Sequence, residues 1–238
     1  MLFLFLCIII NTLVFLWFVI NIFLKSSNTY KDKGRNEMVE MGVVLGSGGH
    51  TYEMIQILKQ IKNSNILFNF FYSHNDNLSK IKTENELVNY QKNFFVIPRC
   101  RNVGDSYSLS FIKFIFSFLY CIFLTYKMKN MKVIIVNGPG VCVPLVYSLI
   151  FRKYIFLKNI KIVYIESICR VYSLSLSAKL LYYFADLFVV FSEHLKKKYK
   201  KAKYYGYTFE LYSKKKKKKK KKKLLNNFIS FIFYMPFF

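Results

Sequence analysis

The sequence is poor in the residues that build metal clusters and disulfide frameworks. Its five cysteines are scattered along the chain without a CxxC pair, and it contains only three histidines. Zinc clusters and disulfide frameworks use paired or regularly spaced cysteines, so we expect neither, and we expect no metal ion and no cofactor. Unpaired thiols fit a reducing compartment, which favours the cytosolic side of a membrane.

Acidic residues are also scarce, and the chain is strongly basic. Twelve Asp and Glu stand against 37 Lys and Arg, which gives a formal net charge of +25. Residues 214–223 are ten consecutive lysines, and without them the charge is still 25 − 10 = +15. A basic surface can bind nucleic acid, anionic lipid or phosphorylated substrates. Because the lysine run has no interleaved aromatic residues and no recognition motif is visible, we expect no nucleic-acid partner.

Charged side chains are absent from residues 1–24. At about 1.5 Å per residue, this stretch can cross a hydrocarbon core of about 30 Å as a transmembrane helix. The alternative is a cleavable signal peptide, but a basic n-region and a small-x-small cleavage site are missing. Residues 25–37 form a basic linker containing Lys25, Lys31, Lys33 and Arg35. The positive-inside rule therefore predicts that the linker and the rest of the chain lie in the cytosol.

Residues 38–206 alternate between short apolar segments and segments of helical periodicity. Hydrophobic residues make up 54% of the chain, which is too apolar for a disordered protein. The alternation predicts one α/β domain with a Rossmann-like, doubly wound parallel sheet and helices on both faces. The predicted strands are residues 39–45, 66–72, 94–97, 132–136, 160–165 and 187–191.

Two further apolar stretches raise the question of membrane contact. Residues 109–126 are apolar on all sides, with Lys113 the only charge, and are long enough to span a bilayer. A crossing there would put the loops at 46–51 and 137–140 on opposite sides of the membrane, so we expect a buried or membrane-surface helix instead. The tail, residues 207–238, is Lys-rich and ends in 15 apolar residues, which are too few to span comfortably.

A glycine-rich loop is the strongest chemical signal in the sequence. It directly follows the first predicted strand and precedes the first helix. Glycines allow a tight turn and a close approach to a ligand, and the free N–H groups of a helix start suit a phosphate. The loop matches neither a GxGxxG fingerprint nor a P-loop, and the alternative is a plain strand-to-helix turn. His50 could act as general base, hold a phosphate or be structural. The loop consists of Gly46, Ser47, Gly48, Gly49, His50 and Thr51.

Three more segments carry polar groups close to predicted strands. The turn after the fourth strand is a ligand loop or a simple turn. After the fifth strand, a carboxylate could accept hydrogen bonds from sugar hydroxyls and an arginine could neutralise a phosphate, or the two could form a surface salt bridge. Two arginines beside the third strand could contact diphosphate or lipid headgroups, or could be solvated. Because most of these loops end strands, we expect one polar cleft at the carboxyl edge of the sheet. The candidates are Arg99, Arg101, Asn137, Gly138, Pro139, Gly140, Glu166, Ser167 and Arg170.

Four segments of residues 38–206 together resemble a known family. They are VVLGSGGHTYEM, IPRCRNVGDSY, VNGPGVCVPLVYSL and IVYIESICRVYSLSLSAKLLYYFADLFVV. These segments resemble the membrane-anchoring subunit of the UDP-N-acetylglucosamine transferase of asparagine-linked glycosylation. They are more distantly similar to the acceptor half of the bacterial glycosyltransferase that makes lipid II. The family usually has Gln-Trp where this chain has Phe191-Ser192, and the segment after Gly206 departs from the family's ending.

The resemblance implies a GT-B glycosyltransferase divided between two chains. This chain would be the acceptor-binding half with its membrane anchor, inactive alone, and a soluble chain would supply the donor-binding half. Together they would add the second N-acetylglucosamine to N-acetylglucosaminyl-diphosphodolichol at the cytosolic face of the endoplasmic reticulum. The glycine-rich loop would face the acceptor diphosphate, with His50 as candidate base. Gly138–Gly140 and Glu166, the second catalytic candidate, would line the same cleft. The alternative is a recruitment protein that contributes no active-site residue.

Overall fold

The computed structural model describes residues 38–61, 65–101, 104–128, 130–155 and 159–205. The predicted transmembrane anchor (1–24), basic linker (25–37) and Lys-rich tail (207–238) lie outside these residues, so the division of the chain into these parts stays a prediction. The described strands β1 to β7 are Val39–Val44, Ile66–Ser73, Gln91–Ile97, Met131–Val136, Lys161–Ile165, Leu187–Val190 and Ala202–Tyr204. The described helices α1 to α6 are Gly49–Leu58, Asn77–Glu86, Tyr107–Tyr126, Cys142–Ile155, Leu176–Leu181 and Glu193–Lys198.

The strands form one parallel sheet in the order β3-β2-β1-β4-β5-β6-β7. The order runs outwards in both directions from the neighbouring strands β1 and β4, so the chain passes to opposite faces of the sheet after these two strands. In such sheets the loops at this switch point diverge and leave a crevice at the carboxyl edge. The predicted Rossmann-like parallel sheet is confirmed, and all six predicted strands are present. Strand β7 was not predicted, because its three residues give no readable pattern.

Each central strand contributes to two separate cores, one on each face of the sheet. In β4, for example, Val133 and Ile135 belong to one core whereas Ile134 and Val136 belong to the other. This alternation follows from the two-residue period of a strand, and burial of both faces gives the continuous apolar runs seen in the sequence. Helix α1 covers the first core, and α3, α4 and α5 cover the second.

Side-chain caps fix where three of the helices begin. Asp76 accepts from the Ser79 N–H at the start of α2, and Ser106 accepts from the Leu109 N–H at the start of α3. Ser175 accepts from the Ala178 N–H, at 3.1 Å, at the start of α5. Such caps satisfy backbone donors that have no partner within the helix. Because α3 and α5 follow β3 and β5, both helices start at the carboxyl edge of the sheet.

Helix α3 is the apolar stretch whose burial was left open by the sequence. Its residues Ser108–Tyr126 are long and apolar enough to cross a membrane. Only a narrow stripe of it, including Ser117, Cys121 and Thr125, is buried against the second core, and most of its apolar side chains are exposed. Of the two expectations for this stretch, a fully buried helix does not hold, because the sheet and α4 cover only one side of α3. A membrane-surface helix stays a prediction.

Candidate functional site

The glycine-rich loop and the loop after β4 touch each other at the switch point. A Cβ atom on Gly46 would lie 2.7 Å from Cβ of Pro139 and 2.9 Å from Cβ of His50, so only glycine fits there. Gly48 has φ +64°, a left-handed conformation that glycine adopts without strain. These two glycines explain how the chain turns from β1 into α1 while packing directly on the 137–140 loop. The two loops, which the sequence predicts at one edge of the sheet, are in direct contact there.

Asn137 fixes the main chain of the candidate base. Its buried Nδ2 donates a 2.6 Å hydrogen bond to the carbonyl oxygen of His50. Within the described part of the chain, the buried Nδ1 atom of His50 and the buried Oδ1 atom of Asn137 have no hydrogen-bond partner. Buried polar atoms of folded proteins usually have a hydrogen-bond partner. These two atoms at the switch point are therefore candidates to bind a ligand or a water molecule.

Gly138 brings the histidine ring close to the loop after β5. Its φ is +92°, and a Cβ atom there would lie 3.7 Å from His50 Cε1, 3.7 Å from Glu166 Oε1 and 3.1 Å from the Tyr164 hydroxyl. The ring of His50, the carboxylate of Glu166 and the phenol of Tyr164 therefore border the same small space. The predicted convergence of three strand-end loops at one edge is what the structure has.

Glu166 is buried and accepts hydrogen bonds from Ser167 and Ser175. Its Oε1 accepts from the Ser167 N–H at 3.0 Å, and its Oε2 accepts from the Ser175 N–H at 2.9 Å. The Ser175 hydroxyl lies 3.2 Å from the same Oε2. With 1% of its surface exposed, this side chain holds the loop after β5 against the start of α5. Its predicted contact with sugar hydroxyls stays a prediction.

Glu53 is a second carboxylate at this edge, and it was not among the predicted site residues. The Ser167 hydroxyl donates a 3.0 Å hydrogen bond to its Oε1. Burial raises the pKa of Glu53, while the Ser167 hydrogen bond and the nearby His50 act in the opposite direction and Glu166 adds to the rise. Glu53 lies three residues after His50 on α1, a spacing that places both on one side of a helix, and this was the available signal.

The hydroxyl of Thr51 points into the protein. It contacts the Gly46 carbonyl and lies 2.8 Å from the Ser79 hydroxyl, which in turn donates to Asp76 Oδ2 at 2.7 Å. Thr51, Ser79 and Asp76 are all buried. These hydrogen bonds connect the glycine-rich loop to α2. The buried Thr51 side chain therefore supports the loop from the interior of the protein and does not face the cleft.

The predicted cationic residues lie on exposed loops around the same edge. Arg99 and Arg101 are exposed, and the thiol of Cys100 between them donates to the Gly140 carbonyl at 3.3 Å. This contact brings the loop after β3 to the 137–140 loop. Arg170 is exposed on the loop after β5, where its N–H donates to the Ser167 carbonyl at 3.0 Å. Ser47, Gly48 and Gly49 are exposed as well.

Comparison with known proteins agrees with this architecture. Residues 41–208 match the family model described as "Oligosaccharide biosynthesis protein Alg14 like". The chain belongs to the Alg14-like family. The resemblance inferred from the four motifs is thereby confirmed. All sequence-predicted site residues and Glu53 lie inside the matched segment, whereas the lysine run lies beyond it.

Curated Alg14 relatives cover most of the chain. The UDP-N-acetylglucosamine transferase subunit ALG14 of Candida albicans is 36% identical over 200 residues, covering 83% of this chain and 91% of the relative. The human protein of the same name is 32% identical over 183 residues, covering 71% of this chain and 83% of the relative.

Two solved structures resemble this chain at low sequence identity. A UDP-N-acetylglucosamine 2-epimerase superposes with a TM-score of 0.50 at 10% identity, over 68% of this chain and 44% of that one. Acinetobacter baumannii MurG superposes with a TM-score of 0.46 at 12% identity, over 63% of this chain and 40% of that one. This Alg14-like chain thus spans less than half the length of either solved chain. The likeness to the epimerase concerns the fold alone.

Proposed function

We propose that this chain is the acceptor-binding, membrane-anchoring subunit of a two-chain N-acetylglucosaminyltransferase of N-glycan precursor synthesis. Its relatives are named UDP-N-acetylglucosamine transferase subunits, which supports a role as one part of a complex. The observation that carries the proposal is the meeting of the loops after β1, β4 and β5 at the switch point. That crevice is where sheets of this topology bind ligands.

The acceptor is a diphosphate-linked sugar on a dolichol lipid, and the chain offers suitable groups for its diphosphate. The exposed Ser47, Gly48 and Gly49 lie at the start of α1, where backbone N–H groups and the positive end of the helix dipole favour an anion. The exposed Arg99, Arg101 and Arg170 lie on adjoining loops of the same edge. A guanidinium group can bind phosphate oxygens through two parallel hydrogen bonds.

His50 is the proposed base for the attacking hydroxyl. In the reaction, the acceptor hydroxyl oxygen bonds to the anomeric carbon of UDP-N-acetylglucosamine, the bond from that carbon to UDP breaks, and UDP leaves with the electron pair. A neutral imidazole can accept the proton that the hydroxyl loses. The Asn137 hydrogen bond to the His50 carbonyl fixes the main chain from which the ring projects.

A soluble partner chain supplies the donor site in this proposal, and the endoplasmic reticulum membrane supplies the acceptor. Residues 1–24 anchor the chain, and the site lies on the cytosolic face. The first experiment is a transferase assay in membranes containing this chain alone or with the donor-binding partner, using radiolabelled UDP-N-acetylglucosamine and N-acetylglucosaminyl-diphosphodolichol. Activity requires both chains if the proposal is right. Full activity from this chain alone overturns it.

A second candidate is a recruitment protein that tethers the partner and contributes no active-site group. His50→Ala separates the two. The acceptor-binding proposal expects a loss of about 10²–10⁴-fold in kcat at saturating acceptor, the usual contribution of a general base. His74→Ala is the matched control, because His74 is exposed and its Nδ1 lies 2.8 Å from the neighbouring Asn75. Equal activity of wild type and His50→Ala, with the partner still bound, favours the recruitment protein.

A further inference from the structure

Helix α3 presents a broad apolar face to solvent. Phe111, Phe116 and Phe123 are 64%, 65% and 63% exposed, although each lies within a helix of 20 residues. The exposed positions recur every three to four residues and so form one continuous stripe along the helix. The stripe consists of Leu109, Phe111, Ile112, Ile115, Phe116, Leu119, Tyr120, Phe123 and Tyr126. Contiguous exposed apolar surface of this kind marks an interaction site.

The opposite side of α3 is attached to the protein by polar as well as apolar contacts. The Ser117 hydroxyl donates to the Pro98 carbonyl at 3.0 Å, and the buried Arg152 of α4 donates to the carbonyls of Thr125 and Met128 at the end of α3. Phe114 packs edge-on against Tyr147, with ring centroids 6.3 Å apart. Lipid cannot surround a helix that is bonded in this way to a folded domain, so α3 is not a membrane span.

The apolar surface continues across the same layer of the protein. Helices α3, α4 and α5 share one core, so they lie side by side on one face of the sheet. Tyr154 at the end of α4, Leu176 and Leu180 of α5, and Tyr183 just after α5 are all exposed. Together with the stripe on α3 they form what we call the α3–α5 surface.

Charge indicates what covers the α3–α5 surface. Helices α3, α4 and α5 contain no Asp or Glu. Lysines predominate at the margins: Lys127 follows α3 with its Nζ 4.6 Å from the Phe123 ring, Lys179 is exposed on α5, and Lys196–Lys198 are exposed on the neighbouring α6. The carboxylates beside them are the exposed Glu193 of α6, and Asp105 and Asp186, which are paired with Lys113 and Lys153. Aromatic and aliphatic side chains flanked by an excess of lysines are typical of elements that lie in the interface of an anionic membrane.

We propose that the α3–α5 surface lies in the bilayer interface, as a membrane contact additional to the N-terminal anchor and without crossing the membrane. Both α3 and α5 begin at the carboxyl edge of the sheet, next to the candidate site. The surface therefore holds that edge at the level of the lipid headgroups. This last consequence rests on the proposed function, since it lets a diphosphate-linked sugar reach the site while its lipid chain stays in the membrane.

Photolabelling of the full chain tests the contact without reference to activity. The chain, with its partner, is reconstituted into phosphatidylcholine–phosphatidylserine vesicles that contain a phospholipid with a photoreactive diazirine in its acyl chain. Labelled peptides are then mapped by mass spectrometry. We expect label in residues 107–126 and 176–184. We expect none in residues 77–88, which include α2 and carry the exposed Leu78 and Val88 on the opposite face of the sheet. Equal labelling of α2 and α3, or no label in α3, overturns the proposal.

Matched triple variants separate membrane contact from folding and from the chemistry. Phe111→Ser/Phe116→Ser/Phe123→Ser changes the α3–α5 surface, and Leu78→Ser/Ile81→Ser/Val88→Ser changes equally exposed apolar residues on the other face. Only the first set should abolish labelling of α3, and both should keep the thermal unfolding midpoint of wild type. Because the altered side chains are exposed, a loss of fold is not expected.

The assay on two acceptors distinguishes this proposal from the proposed function. With the first triple variant, kcat/KM on a membrane-embedded long-chain acceptor should fall at least ten-fold, while kcat/KM on a water-soluble short-chain acceptor should not change. If wild type uses neither acceptor, the proposed function fails while the labelling result still stands. If α3 is unlabelled and the solubilised complex doubles in mass in a way that the first triple variant abolishes, the surface binds a second copy and the membrane proposal is wrong.

Discussion

The side-chain amide of Asn137 donates a 2.6 Å hydrogen bond to the main-chain carbonyl of His50. The two residues are 87 positions apart. His50 lies at the start of α1, which follows β1, and Asn137 directly follows the neighbouring strand β4. This bond joins the two loops that diverge at the switch point. It therefore sets the position of the histidine ring relative to the 137–140 loop.

Asn137→Ala should lower kcat of the two-chain complex by about ten- to hundred-fold, because a small displacement of a catalytic group costs rate steeply. The KM for UDP-N-acetylglucosamine should not change, since the partner chain binds the donor in our proposal. Asn137→Asp, which keeps the shape but loses the amide donor, should show the same defect. Steady-state kinetics measures both effects, and an unchanged kcat in both variants would contradict the positioning role.

Glu53→Gln should change how the stability of the protein depends on pH. Because burial raises the pKa of Glu53 above its ordinary 4.5, the folded protein holds this proton to a higher pH than the unfolded chain. The stabilising contribution is present below about pH 4.5 and is lost as pH rises through the folded-state pKa. Gln keeps an oxygen for the Ser167 hydroxyl but cannot ionise, so the variant should unfold at a higher temperature than wild type near pH 7 and not near pH 4.

Glu86→Gln is the control for this pH effect. Glu86 is exposed and pairs with Lys59, which lowers its pKa. Removing that charge should leave the unfolding midpoint near pH 7 unchanged or slightly lower, since exposed ion pairs contribute little. Thermal melts of the solubilised complex across the pH range measure both variants. A Glu53→Gln midpoint equal to wild type at every pH would show that the carboxylate is not destabilised by its surroundings.

Ser79→Ala should destabilise the fold and loosen the glycine-rich loop. Ser79 is buried between Thr51 and Asp76, and its removal leaves both without this partner. A buried polar group that loses its partner costs about 1–3 kcal/mol. Chemical denaturation of the complex should show that decrease, whereas the exposed Ser173→Ala should unfold as wild type does. A wild-type midpoint for Ser79→Ala would mean that water replaces the lost hydroxyl.

Gly138→Ala and Gly140→Ala form a matched pair in the same loop. Gly138 has φ +92° and a Cβ there would approach the Tyr164 hydroxyl to 3.1 Å, whereas a Cβ on Gly140 meets nothing within 4 Å. A left-handed conformation costs a residue with a Cβ roughly 1–2 kcal/mol. Gly138→Ala should therefore lower the unfolding midpoint and the transferase rate, and Gly140→Ala should leave both near wild type. Equal effects would show that the loop relaxes freely.

The candidate site illustrates where sequence reasoning succeeds. Loops that follow parallel strands must meet at one edge, so the approach of His50, Gly138 and Glu166 followed from the strand predictions alone. The contacts of the residues that surround them did not follow from the strand predictions. Ser79 and Ser175 reach the site from α2 and α5, and no spacing along the chain records those contacts.

The two carboxylates show the same limit in chemical terms. The sequence favoured Glu166 because it directly follows a strand, and in the structure this buried carboxylate accepts hydrogen bonds from the Ser167 and Ser175 N–H groups. Glu53 was not predicted as a site residue because it lies within a helix, yet its hydrogen bond with the Ser167 hydroxyl shows that it lies at the same edge. Whether a carboxylate faces inwards or towards a ligand depends on neighbours supplied by distant segments.

The sequence by itself determined six of the seven described strands, the parallel α/β class and the glycine-rich turn, because periodicity and turn chemistry are local properties of the chain. Tertiary structure alone decided which side of α3 is covered, which hydroxyl bonds to Thr51 and which carboxylate is buried against the start of α5. An apolar stripe reports that a side chain avoids water, but the neighbour that shields it is set by packing between segments far apart in the chain. The exposed face of α3 became visible only once the sheet and α4 were seen to cover its other side.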